Sequence, residues 1–67
     1  MSSNKIGRNI KELRSRLNLT QDDLAKKADI KYTTLTKIES GVIKKPSVQM
    51  MAKITKTLNV AIKKLLS

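Results

Sequence analysis

The sequence predicts an all-α fold of five short helices, and three observations carry that reading. Apolar residues recur at helical spacing: Ile6, Ile10, Leu13 and Leu17 stand at i, i+4, i+7 and i+11, the pattern of one buried helix face. Helix caps and turn residues (Thr20, Gly41, Pro46-Ser47, Asn59) break the chain into short helical lengths. The 67 residues include one tyrosine, one proline, and no Phe or Trp, so Leu, Ile, Val, Ala and Met must fill the core. A chain this short buries a marginal core and needs every apolar helix face. Without cysteine or histidine, neither a disulfide nor a Cys/His zinc site can staple it.

The formal net charge of +10 points to a polyanionic partner, either nucleic acid or an anionic membrane surface. The competing reading is a lysine-rich surface that only solubilises the chain. No apolar run approaches membrane-spanning length, and Met1 to Lys5 lack the apolar region of a signal peptide. The expected location is therefore the cytoplasm, on the nucleoid, with no membrane partner. Catalysis is not expected, because the chain lacks a Cys or His nucleophile or base and any Gly-rich phosphate loop. Asp22 and Asp23 are adjacent, so on a helix they diverge, and no third ligand accompanies them. No metal and no cofactor are expected.

Each element has its own signal. Residues 1–4 read as a flexible arm to one domain spanning residues 1–67. Helix 1 is predicted over Lys5 to Leu17, with Arg8, Lys11 and Ser15 outward, and Arg14 on the edge of the buried stripe. Asn18-Leu19 connects to helix 2, which Thr20 caps and Asp22 and Asp23 support against the helix dipole. Leu24, Ala25 and Ala28 form its buried side. Asp29-Ile30-Lys31 makes a tight turn, with Asp29 tolerating a left-handed conformation. Helix 3 is predicted from Tyr32 to Ser40 and stopped by Gly41. Val42 is expected to tuck into the core and Ile43 to be exposed, touching DNA sugar, a partner subunit or nothing. Ser47 caps helix 4, over Val48 to Leu58, with Val48, Met51, Ile54, Thr55 and Leu58 inward. Met50 reads as an outward apolar side chain and a possible partner contact. Asn59-Val60 turns the chain into helix 5, Ala61 to Leu66, carrying Ile62, Leu65 and Leu66.

The central stretch, Thr20 to Gly41, has the most functional content. With Leu35 and Ile38 facing the core, the helical period puts Thr33, Thr36, Lys37 and Ser40 on the opposite side. That side has small hydroxyls, one cation and no carboxylate, which suits base-pair edges between two rows of phosphates. Glu39 falls on the core flank, away from it. Gln21, as the first residue of helix 2, has an amide placed to donate to a phosphate beside backbone N–H groups.

Leu19-Thr20-Gln21, Leu24-Ala25, Ile30, Thr34-Leu35 and Ile38-Glu39-Ser40-Gly41 together resemble the helix-turn-helix of the phage-repressor and Cro family. Pro46-Ser47-Val48 and Leu58-Asn59-Val60 stand where that family's later helices begin and end, so the resemblance runs from Ile6 to Leu66. It implies a lambda-repressor-like DNA-binding domain with the helix-turn-helix at helices 2 and 3. The chain departs from the pattern at several places: Asp29 replaces the usual turn glycine, Lys31 replaces a Ser or Thr cap, one extra residue lies between Gly41 and Pro46, Asn59 stands where glycine is usual, and Ala61, Lys63 and Lys64 open helix 5 in place of a polar cap and acidic residues.

On the family's plan, helix 3 enters the major groove. Tyr32 packs on a thymine methyl, or bonds a phosphate or base through its hydroxyl; the alternative is a tyrosine that only caps the domain surface. Thr33 bonds a base or touches a thymine methyl, Thr36 follows one turn later, and Lys37 reads a guanine O6/N7 pair. Gln21, Lys31, Thr34, Lys44 and Lys45 form the expected phosphate set, with Thr34 serving either packing or phosphate contact. By the same resemblance Arg14 and Glu39 form an ion pair that fixes helix 1 against helix 3; the alternative is two unpaired surface charges. Asn59, Ala61, Ile62 and Leu66 are the expected dimer interface.

The function expected from these residues is a transcriptional regulator of repressor or Cro/controller type, bound to double-stranded DNA as a homodimer on a palindromic operator. The rival classes are an antitoxin or other protein-interaction module, meeting a toxin or polymerase, and an architectural DNA binder without sequence preference. Whether the 67 residues are a whole regulator or the DNA-binding half of a longer one stays open.

Overall fold

The computed structural model describes residues 5–66. They form five helices: α1 (Lys5–Arg16), α2 (Gln21–Ala28), α3 (Tyr32–Ser40), α4 (Val48–Leu58) and α5 (Lys63–Leu66). The arm expected at residues 1–4 lies outside the described residues. The helix α1 packs on α3 and α5, while α2 packs on α3 and α4. Between them lies one core, whose fully buried side chains are Ile10, Leu24, Leu35, Ile38, Ile54 and Leu65.

The helix starts follow from local chemistry. At α2, the Thr20 hydroxyl accepts from the Asp23 backbone N–H at 3.0 Å, and the Asp23 carboxylate accepts from the Thr20 N–H at 3.0 Å. This reciprocal box satisfies two otherwise orphaned N–H groups. The Ser47 hydroxyl caps α4 by accepting from the Met50 N–H at 3.1 Å. The bond from the Thr20 backbone, followed by that with its hydroxyl, holds the Asp23 carboxyl below its ordinary value of 3.8. A carboxyl lowered by folding stabilises the fold fully above its unfolded pKa, and loses that contribution as pH falls through its folded value. Asp23→Asn is therefore expected to flatten the loss of stability below about pH 4, read from urea midpoints across pH. An unaltered acid limb would show that the box contributes nothing.

The helix ends share one device. Asn18, Asp29 and Asn59 all adopt the left-handed conformation, with φ of 58°, 57° and 58°. In each case the next residue sends its N–H back five residues: Leu19 to Arg14 O at 3.0 Å, Ile30 to Ala25 O at 3.0 Å, and Val60 to Thr55 O at 3.1 Å. The chain curls back at each stop and lays that apolar residue against the core.

This device corrects two expectations. Leu17 is half exposed, because α1 ends at Arg16 and the turn over Asn18 delivers Leu19 to the core in its place. After α3, Gly41 takes the left-handed turn at φ 89°. Here the chain returns one residue later than at the other stops, and the Ile43 N–H reaches Lys37 O at 3.0 Å. Ile43 thus packs against the core and Val42 is exposed, the reverse of the sequence reading.

Two more corrections concern α4 and α5. Val48, directly after the cap, has nothing packed over it and is 76% exposed. Met50, expected outward, leans in against the core beside Met51 and Ile54. The helix α5 starts two residues later than expected, since Ala61 and Ile62 form the turn that leads into it. Leu65 is its buried anchor, and the Asn9 side chain donates to the Leu65 carbonyl at 2.8 Å, tying α1 to α5. Thr55, the one buried threonine, donates to Ala52 O at 3.2 Å. Among the described residues no buried side-chain polar atom lacks a partner.

Candidate nucleic-acid interface

The site is built on α2, its turn and α3. Burying Leu35 and Ile38 turns Thr33, Lys37 and Ser40 outward, with Thr36 half-buried beside them. Their hydroxyls are not equivalent. Thr36 donates its proton to Thr33 O at 2.8 Å, and Ser40 donates to Lys37 O at 3.3 Å. With its proton spent on the backbone, Thr36 presents a methyl group and acceptor lone pairs, which suit a thymine methyl or an amino group of adenine or cytosine. The Thr33 hydroxyl keeps its donor, and among the described residues the Lys37 ammonium has no ion-pair partner, so both can address base acceptors.

Beside this face sits a network connecting three helices. Arg14 of α1 grips the Glu39 carboxylate of α3 with two bonds, Nε to Oε2 at 2.9 Å and Nη2 to Oε1 at 3.0 Å. Its remaining nitrogen, Nη1, donates to Leu19 O at 2.8 Å. Both side chains are largely buried, so the pair is a shielded fork rather than two surface charges. The same Glu39 Oε1 accepts from the Gln21 amide at 3.1 Å, and the Tyr32 hydroxyl makes a long 3.5 Å bond to Gln21 Oε1. Gln21, at the start of α2, is thereby oriented from both sides and keeps one amide proton for a phosphate. Glu39 is itself buried, at 8% exposure, and aims the more exposed Gln21.

Reading the sequence missed two parts of this arrangement. The Gln21–Glu39 bond joins residues 18 positions apart and depends on how α2 crosses α3. Lys11, read only as outward-facing, lines a shallow concavity with Arg14, Gln21, Thr36, Glu39 and Ser40, adding a cation from α1 to its rim. Its i, i+3 spacing from Arg14 was the available signal.

The other expected residues fall in separate places. Lys31 starts α3 without a side-chain cap bond and is exposed. Thr34 is half-buried, while Lys44 and Lys45 are exposed in the loop between α3 and α4. Asn59, Ala61, Ile62 and Leu66 are all exposed at the far end of the chain. The two adjacent aspartates have separate structural tasks: Asp23 closes the cap, and Asp22 pairs with Lys26 at 3.1 Å. No helix among the described residues is long and apolar enough to cross a membrane.

This architecture, a two-helix unit braced by three further helices, is that of the helix-turn-helix regulators. A helix-turn-helix family model matches residues 10–65, and the chain belongs to that family, in its Cro/C1 type. Two solved structures of SinR are similar. One, of SinR as the master regulator for biofilm formation in complex with DNA, has 32% sequence identity and a TM-score of 0.90, covering 92% of this chain and 98% of that one. The other, the N-terminal DNA-binding domain of SinR from Bacillus subtilis, has 31% identity and a TM-score of 0.92, covering 96% and 93%. No curated protein matches the chain by sequence. The family and both structural neighbours are DNA-binding regulators rather than enzymes.

Proposed function

We propose that the chain is a sequence-specific regulator of transcription, acting in the cytoplasm on the nucleoid, that reads the major groove of double-stranded DNA with α3. The observation that carries this reading is the α3 face itself. Thr33, Thr36, Lys37 and Ser40 point outward without an exposed carboxylate among them, beside a Gln21 held by Glu39. The 32% identity to a SinR chain solved with DNA supports the same reading.

In this scheme Gln21, Lys31, Thr34, Lys44 and Lys45 position the protein on phosphates, and Tyr32, Thr33, Thr36 and Lys37 address bases. The described chain is 29 Å in its longest dimension, shorter than one turn of DNA at about 34 Å. One copy therefore covers a single half-site, and specificity over an operator calls for a homodimer, for which Asn59, Ala61, Ile62 and Leu66 are the proposed contacts. A repressor or Cro-like controller needs nothing more than this: occupancy of the operator excludes other proteins from it.

Selection from a random duplex library at physiological salt, with sedimentation of the bound species, tests the proposal. A two-fold symmetric consensus bound by two copies is the expected result, and binding without a consensus would replace it with an architectural role. Two substitutions separate the roles. Lys45→Ala is expected to weaken every duplex about equally and to reduce the salt slope by roughly one unit. Lys37→Ala is expected to relax preference at one position per half-site, by about 1–3 kcal/mol. If Lys37→Ala left the consensus intact, base reading would have to move to other residues.

A further inference from the structure

A second basic surface lies between α2 and α4. Lys27, Ala28 and Asp29 from the end of α2, with Lys53, Lys56 and Thr57 from α4, line a shallow concavity. Ala28 is buried at its base, and the three lysines are exposed. The salt bridges among the described residues are Arg14–Glu39, Arg16–Glu12 and Lys26–Asp22, so none of the three cations is in one, although Lys27 stands near enough to Asp23 to help hold that carboxyl low. Lys53 makes one bond, to the Asp29 carbonyl at 3.4 Å, and keeps two protons. Packing of α2 on α4 thus gathers three cations against one lining carboxylate, that of Asp29.

Phosphate capture on the α3 face does not account for this cluster. Gln21 begins α2 and Ser47 caps α4, whereas Lys27 lies about 9 Å and Lys56 about 13 Å farther along those helix axes. Exposed charges separated by about 8–10 Å are largely screened at physiological salt. A single-stranded nucleic-acid track fits poorly, because no aromatic side chain lines the concavity for stacking and Asp29 interrupts the cations. Point carboxylates on a peptide fit better, since each can meet one ammonium group while a peptide N–H or cation meets Asp29.

We propose that the α2–α4 concavity docks an acidic protein segment through Lys27, Lys53 and Lys56, leaving the α3 face open, so that the chain can hold DNA and a protein partner at once. That DNA on the α3 face leaves this surface open rests on the proposed function; its affinity for carboxylates does not.

The test is an NMR titration of the whole chain with a poly-glutamate peptide and its poly-glutamine counterpart, with and without saturating duplex DNA. Shifts at residues 27–29 and 53–57, caused by the glutamate peptide only and retained with duplex present, are expected. The triple variant K27Q/K53Q/K56Q leaves the core untouched and should bind the peptide roughly tenfold more weakly. Its duplex affinity should change by no more than about twofold. Shifts centred on α3 and abolished by duplex would overturn the proposal, as would unchanged peptide affinity in the triple variant. A large loss of duplex affinity in that variant would assign the concavity to nucleic acid. Failure of the unaltered chain to bind any duplex would overturn the proposed function and the simultaneous holding of DNA, whereas the docking of the acidic segment is read independently by the peptide titration without DNA.

Discussion

A Leu35→Ala chain is expected to lose about 3–5 kcal/mol of stability, enough to leave much of the population unfolded at room temperature. Leu35 is fully buried, and it is the core-side anchor of the helix whose other side carries Thr33, Thr36 and Lys37. Removing it opens a cavity between α3 and the helices behind it, in a domain with little surplus burial. The measurement is a urea titration, where the midpoint should fall with little change in slope. Val42→Ala and Val48→Ala are the controls. Both side chains are more than two-thirds exposed, so each should cost less than about 0.5 kcal/mol, although simple periodicity would rank Val48 with the core. A large loss from either control, or a loss below about 1 kcal/mol from Leu35→Ala, would contradict this assignment of the core.

Glu39→Gln is expected to cost about 1–3 kcal/mol, because Arg14 stays largely buried without its carboxylate. Replacing both partners by apolar residues, Arg14→Met with Glu39→Leu, should recover most of that loss, since no buried charge is then left unpaired. Duplex affinity gives a second, separable readout. In the double variant Gln21 has lost the acceptor that orients its amide, so DNA binding should stay weakened even where stability returns. Full recovery of both would reduce the network to a folding element and remove Glu39 from any positioning role.

The contrast between Leu35 and Val48 shows how much could be read from the chain. Both satisfy a helical repeat, yet one is sealed and the other bare. Periodicity reports the face a residue occupies, whereas burial also requires an element packed over that face. Leu17 and Leu19 make the same point at a helix end. The choice between them depends on a left-handed residue at Asn18, whose effect appears only when the returning N–H finds Arg14 O. The exchange of Val42 and Ile43 turns on which N–H after Gly41 returns to the helix, and it is that of Ile43, bonded to Lys37 O.

In the site the division is similar. The outward set of Thr33, Thr36, Lys37 and Ser40 follows from burying Leu35 and Ile38, and could be named from spacing. That Thr36 has spent its donor while Thr33 has not depends on side-chain rotamers, and no residue pattern encodes it. Lys11 was visible as a cation but not as a neighbour of Gln21 and Thr36.

The sequence by itself determined the all-α class, the bounds of α2, α3 and α4, the caps at Thr20 and Ser47, and the polar face of α3. These are local properties, set within one or two helical turns by cap chemistry, left-handed tolerance and the 3.6-residue period. Only the tertiary structure decided which of the apolar candidates close the core, that Glu39 holds Gln21 as well as Arg14, and that Lys27, Lys53 and Lys56 gather on one surface. Each of these depends on the crossing of helices distant in sequence. Such crossings are selected by the packing of whole faces, to which every core residue contributes and no short stretch is sufficient.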